Sequence, residues 1–164
     1  MRSISAGEAE IVARWLLLTP LARLADLGLL LLRWVTGAFL IYQSHDNIFS
    51  AARMEEFVRF LDQFRFPAPE LLAPLCVWAQ FLCGIALILG LATRWAGLVT
   101  TFVFIVAVWM VHWPQDFPGW WPALILVFLG ILFATLGAGR YALDEWIERR
   151  NRNDRYPAEA AGQR

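Results

Sequence analysis

Residues 24–44 read LADLGLLLLRWVTGAFLIYQS, with only Asp26 and Arg33 charged among otherwise largely apolar residues. About 20 mostly apolar residues span a hydrocarbon core of about 30 Å as a helix, so this stretch is long enough to cross a bilayer. Three comparable stretches follow at residues 71–91, 95–113 and 121–137. Backbone polar groups in lipid must be satisfied within the protein, and a helix does this locally. The expected fold is all-α: an integral membrane four-helix bundle with short amphipathic interfacial helices.

The flanks and connections fit that reading. Residues 1–20 form a tail in which Ile11, Val12, Trp15 and Leu16 fall on one face of an interfacial helix. Thr19-Pro20 then reads as a helix start; a first span that simply begins earlier is the alternative. Glu8 and Glu10 stand where a secretory leader would be basic, so the first span is expected to be retained. Between the first two spans, Phe57, Phe60, Leu61 and Phe64 recur at helical spacing among charged residues. That pattern predicts an amphipathic helix on the outer membrane surface or capping the bundle, ended by Pro67 and Pro69. Ala92-Thr93-Arg94 is so short that the second and third spans must be antiparallel neighbours. Trp113, Trp120 and Trp121 flank the last loop as an interfacial aromatic belt. The bundle proper covers residues 21–139, and an Arg-rich tail covers 140–164.

Composition sets further bounds. The chain has 164 residues, 59% hydrophobic and 17% charged, where a soluble domain carries about 25% charged residues. There is no room for a separate soluble domain, and a net charge of zero gives no footprint for nucleic acid. Every basic residue is Arg. With the N-terminus inside, the inner side collects Arg2, Arg14, Arg23, Arg94, Arg140, Arg149, Arg150, Arg152 and Arg155, against Arg53, Arg59 and Arg65 outside. The positive-inside bias then expects both termini in the cytoplasm.

Arg33 is the residue that most needs a partner. It falls about nine residues into its span, roughly 14 Å deep, where an unpaired charge costs at least about 2.5–3.5 kcal/mol. Asp26 lies two turns away on the same face, and Gln80 of the second span reaches nearly the same depth. Two readings follow: an Arg33–Gln80 clasp between helices, with Asp26 nearby, or an intramembrane pocket of these residues for an anion or a quinone head group. His45, Asp46, His112 and Asp116 collect at the outer face as candidate proton-handling groups. Two histidines alone are a weak signal for metal or haem, and no metal site is assigned. Cys76 and Cys83, seven apart on one helix, sit about 10 Å from each other, too far for a disulfide. Gly28, Gly37, Gly84, Gly90, Gly97 and Gly130 are read as close helix packing rather than a pore.

Three stretches carry a resemblance: Leu31-Leu32-Arg33-Trp34-Val35-Thr36-Gly37-Ala38-Phe39, Leu89-Gly90-Leu91-Ala92-Thr93-Arg94-Trp95-Ala96-Gly97 and Gly137-Ala138-Gly139-Arg140-Tyr141-Ala142-Leu143-Asp144. In this order, over about residues 24–146, the chain resembles the DoxX family of small bacterial and archaeal membrane proteins. The resemblance implies a four-helix inner-membrane protein. Some members of that family are subunits of thiosulfate:quinone oxidoreductase, and others belong to membrane oxidoreductase complexes handling thiol or oxidative stress. Many relatives carry Glu where this chain has Gln80, and the usual Gly-x-x-Lys after the first span is replaced by Gln43-Ser44-His45-Asp46-Asn47.

The expected function is therefore an accessory or quinone-interacting subunit of a membrane oxidoreductase assembly in the bacterial plasma membrane. No tightly bound cofactor is expected, and a quinone is the candidate ligand. Any activity would be of the thiol- or thiosulfate:quinone oxidoreductase type and would need a complex, since the chain has no place for its own flavin or iron–sulfur cluster. Its partners are membrane lipid and other membrane-protein subunits or further copies of itself. The alternative is a structural or assembly subunit without chemistry; a small-solute carrier is weaker, because four spans form a minimal pathway only as an oligomer.

Overall fold

The structure, a computed structural model, describes residues 24–147 together with Leu21 and Arg150. The expected interfacial helix at 8–18, its start at Thr19-Pro20 and the tail beyond residue 150 lie outside the described residues. Among the described residues the bundle's helices run in the order α1 (Ala25–Phe49), α2 (Ala51–Gln63), α3 (Pro69–Leu89), α4 (Thr93–Ala107) and α5 (Phe117–Leu136). A π-helical turn, Val108–His112, continues α4. Four of these are long and apolar enough to cross a membrane: α1, α3, α4 with its π turn, and α5.

The spans pack as two tight pairs, α1 with α3 and α4 with α5, joined along α3 and α4. Small residues make each pairing close. A Cβ at Gly37 would lie 2.6 Å from the Gly84 carbonyl oxygen, and one at Gly97 would lie 2.6 Å from that of Gly130. Between lipid-facing helices there is little hydrophobic drive to associate, so contact at this range supplies van der Waals attraction instead. Leu40, Leu87 and Phe133 fill the interior with no exposure. Arg33, Thr36, Ser44, Gln80, Thr93 and Thr100 are buried with them, while Val35, Phe102 and Trp109 face outwards. Polar residues inside and large apolar ones outside are what a lipid solvent selects.

The first span runs five residues beyond the expected Ser44, because nothing in His45–Phe49 interrupts a helix. It stops at Ser50, whose extended backbone and side-chain oxygen, accepting from the Arg53 N–H, start α2. α2 lies across α1 and α3. Its Leu61 is only 5% exposed, whereas Arg53, Glu55, Glu56 and Arg59 face outwards and pair along the helix. The amphipathic segment thus caps the bundle. The last span also begins earlier than expected, at Phe117, since Pro118 in its first turn forfeits no helical hydrogen bond.

Candidate functional site

At the bundle end where α1 begins and α5 ends, α1 offers Arg33 to two other segments, α3 and the stretch after α5. Its Nε donates to the Leu87 carbonyl at 3.1 Å, Nη2 to the Tyr141 carbonyl at 3.1 Å, and Nη1 to the Ala138 carbonyl. The side chain has 0% exposure. α3 and α5 both end here, so their last carbonyls lack helical partners and carry the negative ends of two helix dipoles. The guanidinium is the planar, many-donor group able to gather such acceptors.

α4 begins at the same end, with the opposite polarity. Its exposed N–H groups are met by Asp144, whose carboxylate accepts from Ala92 at 2.7 Å and Thr93 at 3.0 Å. Coulombic attraction links Asp144 to Arg33. Gly90 lets these parts converge. Its left-handed backbone (φ 68°) ends α3, with Leu91 N–H bonded to Ala86 and Gly90 N–H to Leu87. A Cβ there would lie 2.7 Å from both Ala142 Cβ and Arg33 Nη2. The Gly90 carbonyl in turn accepts from Asp144 N–H at 3.0 Å. The stretches 31–39, 89–97 and 137–144, far apart in sequence, meet in this one lock.

Gln80 is elsewhere. It accepts from Gln43 Nε2 at 2.9 Å and donates to Cys76 Sγ at 3.1 Å. The expected Arg33–Gln80 clasp is therefore replaced by two separate sets of bonds. The cause is helix register. Gly37 meets Gly84 and Ile88, and Gly84 meets Gly37 and Ile41, which sets Gln80 level with Gln43 and Arg33 level with Gly90. At 1.5 Å per residue the two are about 15 Å apart along the axis. Arg33 thus lies level with the end of α3 and the start of α4. Asp26 does not reach it either: its carboxylate accepts from Arg140 N–H at 3.5 Å and stands 4.0 Å from Arg140 Nε.

A family model described as DoxX matches residues 28–113, just over half of the chain. This chain belongs to the DoxX family. No curated protein and no solved structure matches it. The matched region holds Arg33, Gly90 and Thr93 of the DoxX chain's lock, while Ala138, Tyr141 and Asp144 lie beyond it.

At the opposite end of this DoxX protein the groups expected at the outer face form two small sets. His45 places Nε2 3.0 Å from Asp46 and Nδ1 2.6 Å from the Tyr42 carbonyl. His112 Nδ1 stands 3.1 Å from Gln115 Oε1. Asp116 precedes α5 without capping it through its side chain. Among the described residues no group of three or more His, Cys, Asp or Glu is placed to share a metal ion. Cys76 and Cys83 are both free, and Cys83 is buried beside Thr100.

Reasoning from the sequence missed Asp144 and Gly90 as partners of Arg33. The available signal was that both stand in the stretches that carried the family resemblance.

Proposed function

We propose that this DoxX protein is a non-catalytic structural or assembly subunit of a larger membrane complex, set in the plasma membrane with both termini in the cytoplasm. The observation that carries this reading is Arg33. Each of its three nitrogens donates to a backbone carbonyl, and the side chain is fully buried. An intramembrane charge is by default a functional group, but this one is engaged in closing the bundle. The orientation rests on the arginines, with Arg94 and Arg140 at the lock end and Arg53, Arg59 and Arg65 at the other.

One feature favours a second reading, a quinone-interacting subunit fed with electrons by a partner. An apolar groove of about 490 Å³ runs outside the lock, lined by Leu30, Trp34, Ile88, Leu89, Tyr141 and Leu143. An isoprenoid chain would fit such a surface, with the head group near the Tyr141 hydroxyl.

Native mass spectrometry of the gently solubilised, C-terminally tagged protein separates the two. Co-purified membrane subunits without quinone support the structural reading. A quinone retained by the wild type and lost in Trp34→Ala supports the second. A homo-oligomer carrying only phospholipid overturns both.

A further inference from the structure

α1 turns one side away from its own bundle. It packs chiefly against α3 and is the least enclosed of the four spans, with 22% of its most apolar stretch buried against 28–33% for the others. Val35, Phe39, Tyr42 and Gln43 stand on that outward side at steps of four, three and one, the spacing of a single helical face, and all four are exposed. Gln43 is the one whose side chain lipid does not suit. Its Nε2 donates to Gln80 Oε1 at 2.9 Å, while among the described residues its own Oε1 and second N–H make no hydrogen bond. The bond to Gln80 also fixes its level. Gln80 is the twelfth of the 21 residues of α3, roughly 15 Å from either end of that helix. A membrane crossed by α3 therefore surrounds the exposed amide of Gln43 as well, wherever the edges of the bilayer fall.

From these features we infer that the outward face of α1 is a dimerisation surface. Two copies of this chain pack α1 against α1 about a two-fold axis along the membrane normal, with the two Gln43 amides hydrogen-bonded to each other. In lipid a polar side chain finds its partner on another helix, and two properties of Gln43 choose that helix. An amide is both donor and acceptor, so it is complementary to itself. A second copy inserted in the same orientation presents the same amide at the same level, and a two-fold axis brings the two face to face in a self-complementary interface. Val35, Phe39 and Tyr42 supply the apolar contact around the pair, at 69%, 43% and 73% exposure in the single chain. The buried bond to Gln80 is kept, since the paired amides use only the oxygen and the N–H left over. This inference requires only that the four helices span a membrane. A dimer carrying no further subunit would support it while overturning both readings of function above, so the two can fail separately.

The test uses the full chain carrying a donor or an acceptor fluorophore at its C-terminus, mixed in phosphatidylcholine vesicles at falling protein-to-lipid ratios. Energy transfer is expected to follow a monomer–dimer equilibrium in the wild type. Gln43→Leu is expected to weaken it by about threefold to thirtyfold, the range for interhelical polar bonds in lipid. That variant also takes a donor from the buried Gln80, so Tyr42→Ala serves as the second. Tyr42 is 73% exposed, so its truncation leaves the single chain folded, with an unchanged melting temperature as the check, and weakens the dimer by about tenfold. Phe128→Ala, on the exposed side of α5, is expected to leave the equilibrium where it is. Three results would overturn the proposal. A wild type that is monomeric at every ratio has no such surface. A dimer equally tight in Gln43→Leu and Tyr42→Ala uses another face. Energy transfer that never saturates and falls alike in all three variants is crowding in the vesicle.

Discussion

Arg33 and Asp144 close the same end of the bundle from opposite electrical sides. The guanidinium gathers carbonyls at and beyond the C-terminal ends of α3 and α5, while the carboxylate takes the N–H groups that open α4. Gly90 stands between them, accepting a hydrogen bond from the backbone of Asp144 and leaving room for the tip of Arg33. Each charge sits at the helix terminus whose dipole it complements.

Removing the guanidinium takes a donor from three carbonyls, of which Leu87 keeps the Gly90 N–H, and takes from Asp144 its counter-charge. Arg33→Leu is expected to lose about 3–5 kcal/mol, the range for breaking a buried charged set. Thermal unfolding in mild detergent measures it, and Arg33→Lys should recover only part, because an ammonium cannot span three acceptors in one plane. A melting temperature unchanged in Arg33→Leu would dismiss the lock as a stabilising element.

Asp144→Asn keeps the shape of the cap but not its charge, and should cost about 1–2 kcal/mol. Combined with Arg33→Leu, it should show a coupling energy of about 0.5–3 kcal/mol, as residues in one network do. Strict additivity in that double-mutant cycle would mean that the two charges act independently.

Two glycines of α1 give opposite outcomes. Gly37→Ala places a methyl group 2.6 Å from the Gly84 carbonyl oxygen and should destabilise by about 1–3 kcal/mol. At Gly28 nothing lies within 4 Å, so Gly28→Ala should be neutral or stabilising by up to about 1 kcal/mol, through helix propensity. Similar melting temperatures for both variants would argue against a tight α1–α3 crossing.

Gln80→Leu should cost under about 1 kcal/mol, since Gln43, its hydrogen-bond donor, is exposed and finds other partners. A loss as large as that of Arg33→Leu would restore a shared Arg33–Gln80 interaction.

The four spans could be read directly because a lipid solvent imposes a length and a composition on each of them. Arg33 could be singled out for the same reason, as a charge where lipid tolerates few. Its partners could not. They are the carbonyls of Leu87, Ala138 and Tyr141, and a backbone carbonyl has no residue identity for a sequence to display. Gln80 looked suitable because counting inward from apolar boundaries put it at the right depth. The actual register comes from where Gly37 meets Gly84, a contact that hydropathy does not encode. Asp144 caps α4 from more than 50 residues away, so the local pattern of Ala92-Thr93-Arg94 gives no sign of a cap.

The order in which the lock's parts leave the ribosome has its own consequence. Arg33 is made with the first span, but the Tyr141 carbonyl it needs is 108 residues downstream. At about 5–20 residues per second that is a delay of roughly 5–20 s. Throughout it a charged side chain waits in or beside the bilayer for acceptors not yet synthesised. Closure of the bundle therefore waits for residues 138–144, and a product cut short before Ala138 leaves Arg33 with the Leu87 carbonyl alone among its three acceptors.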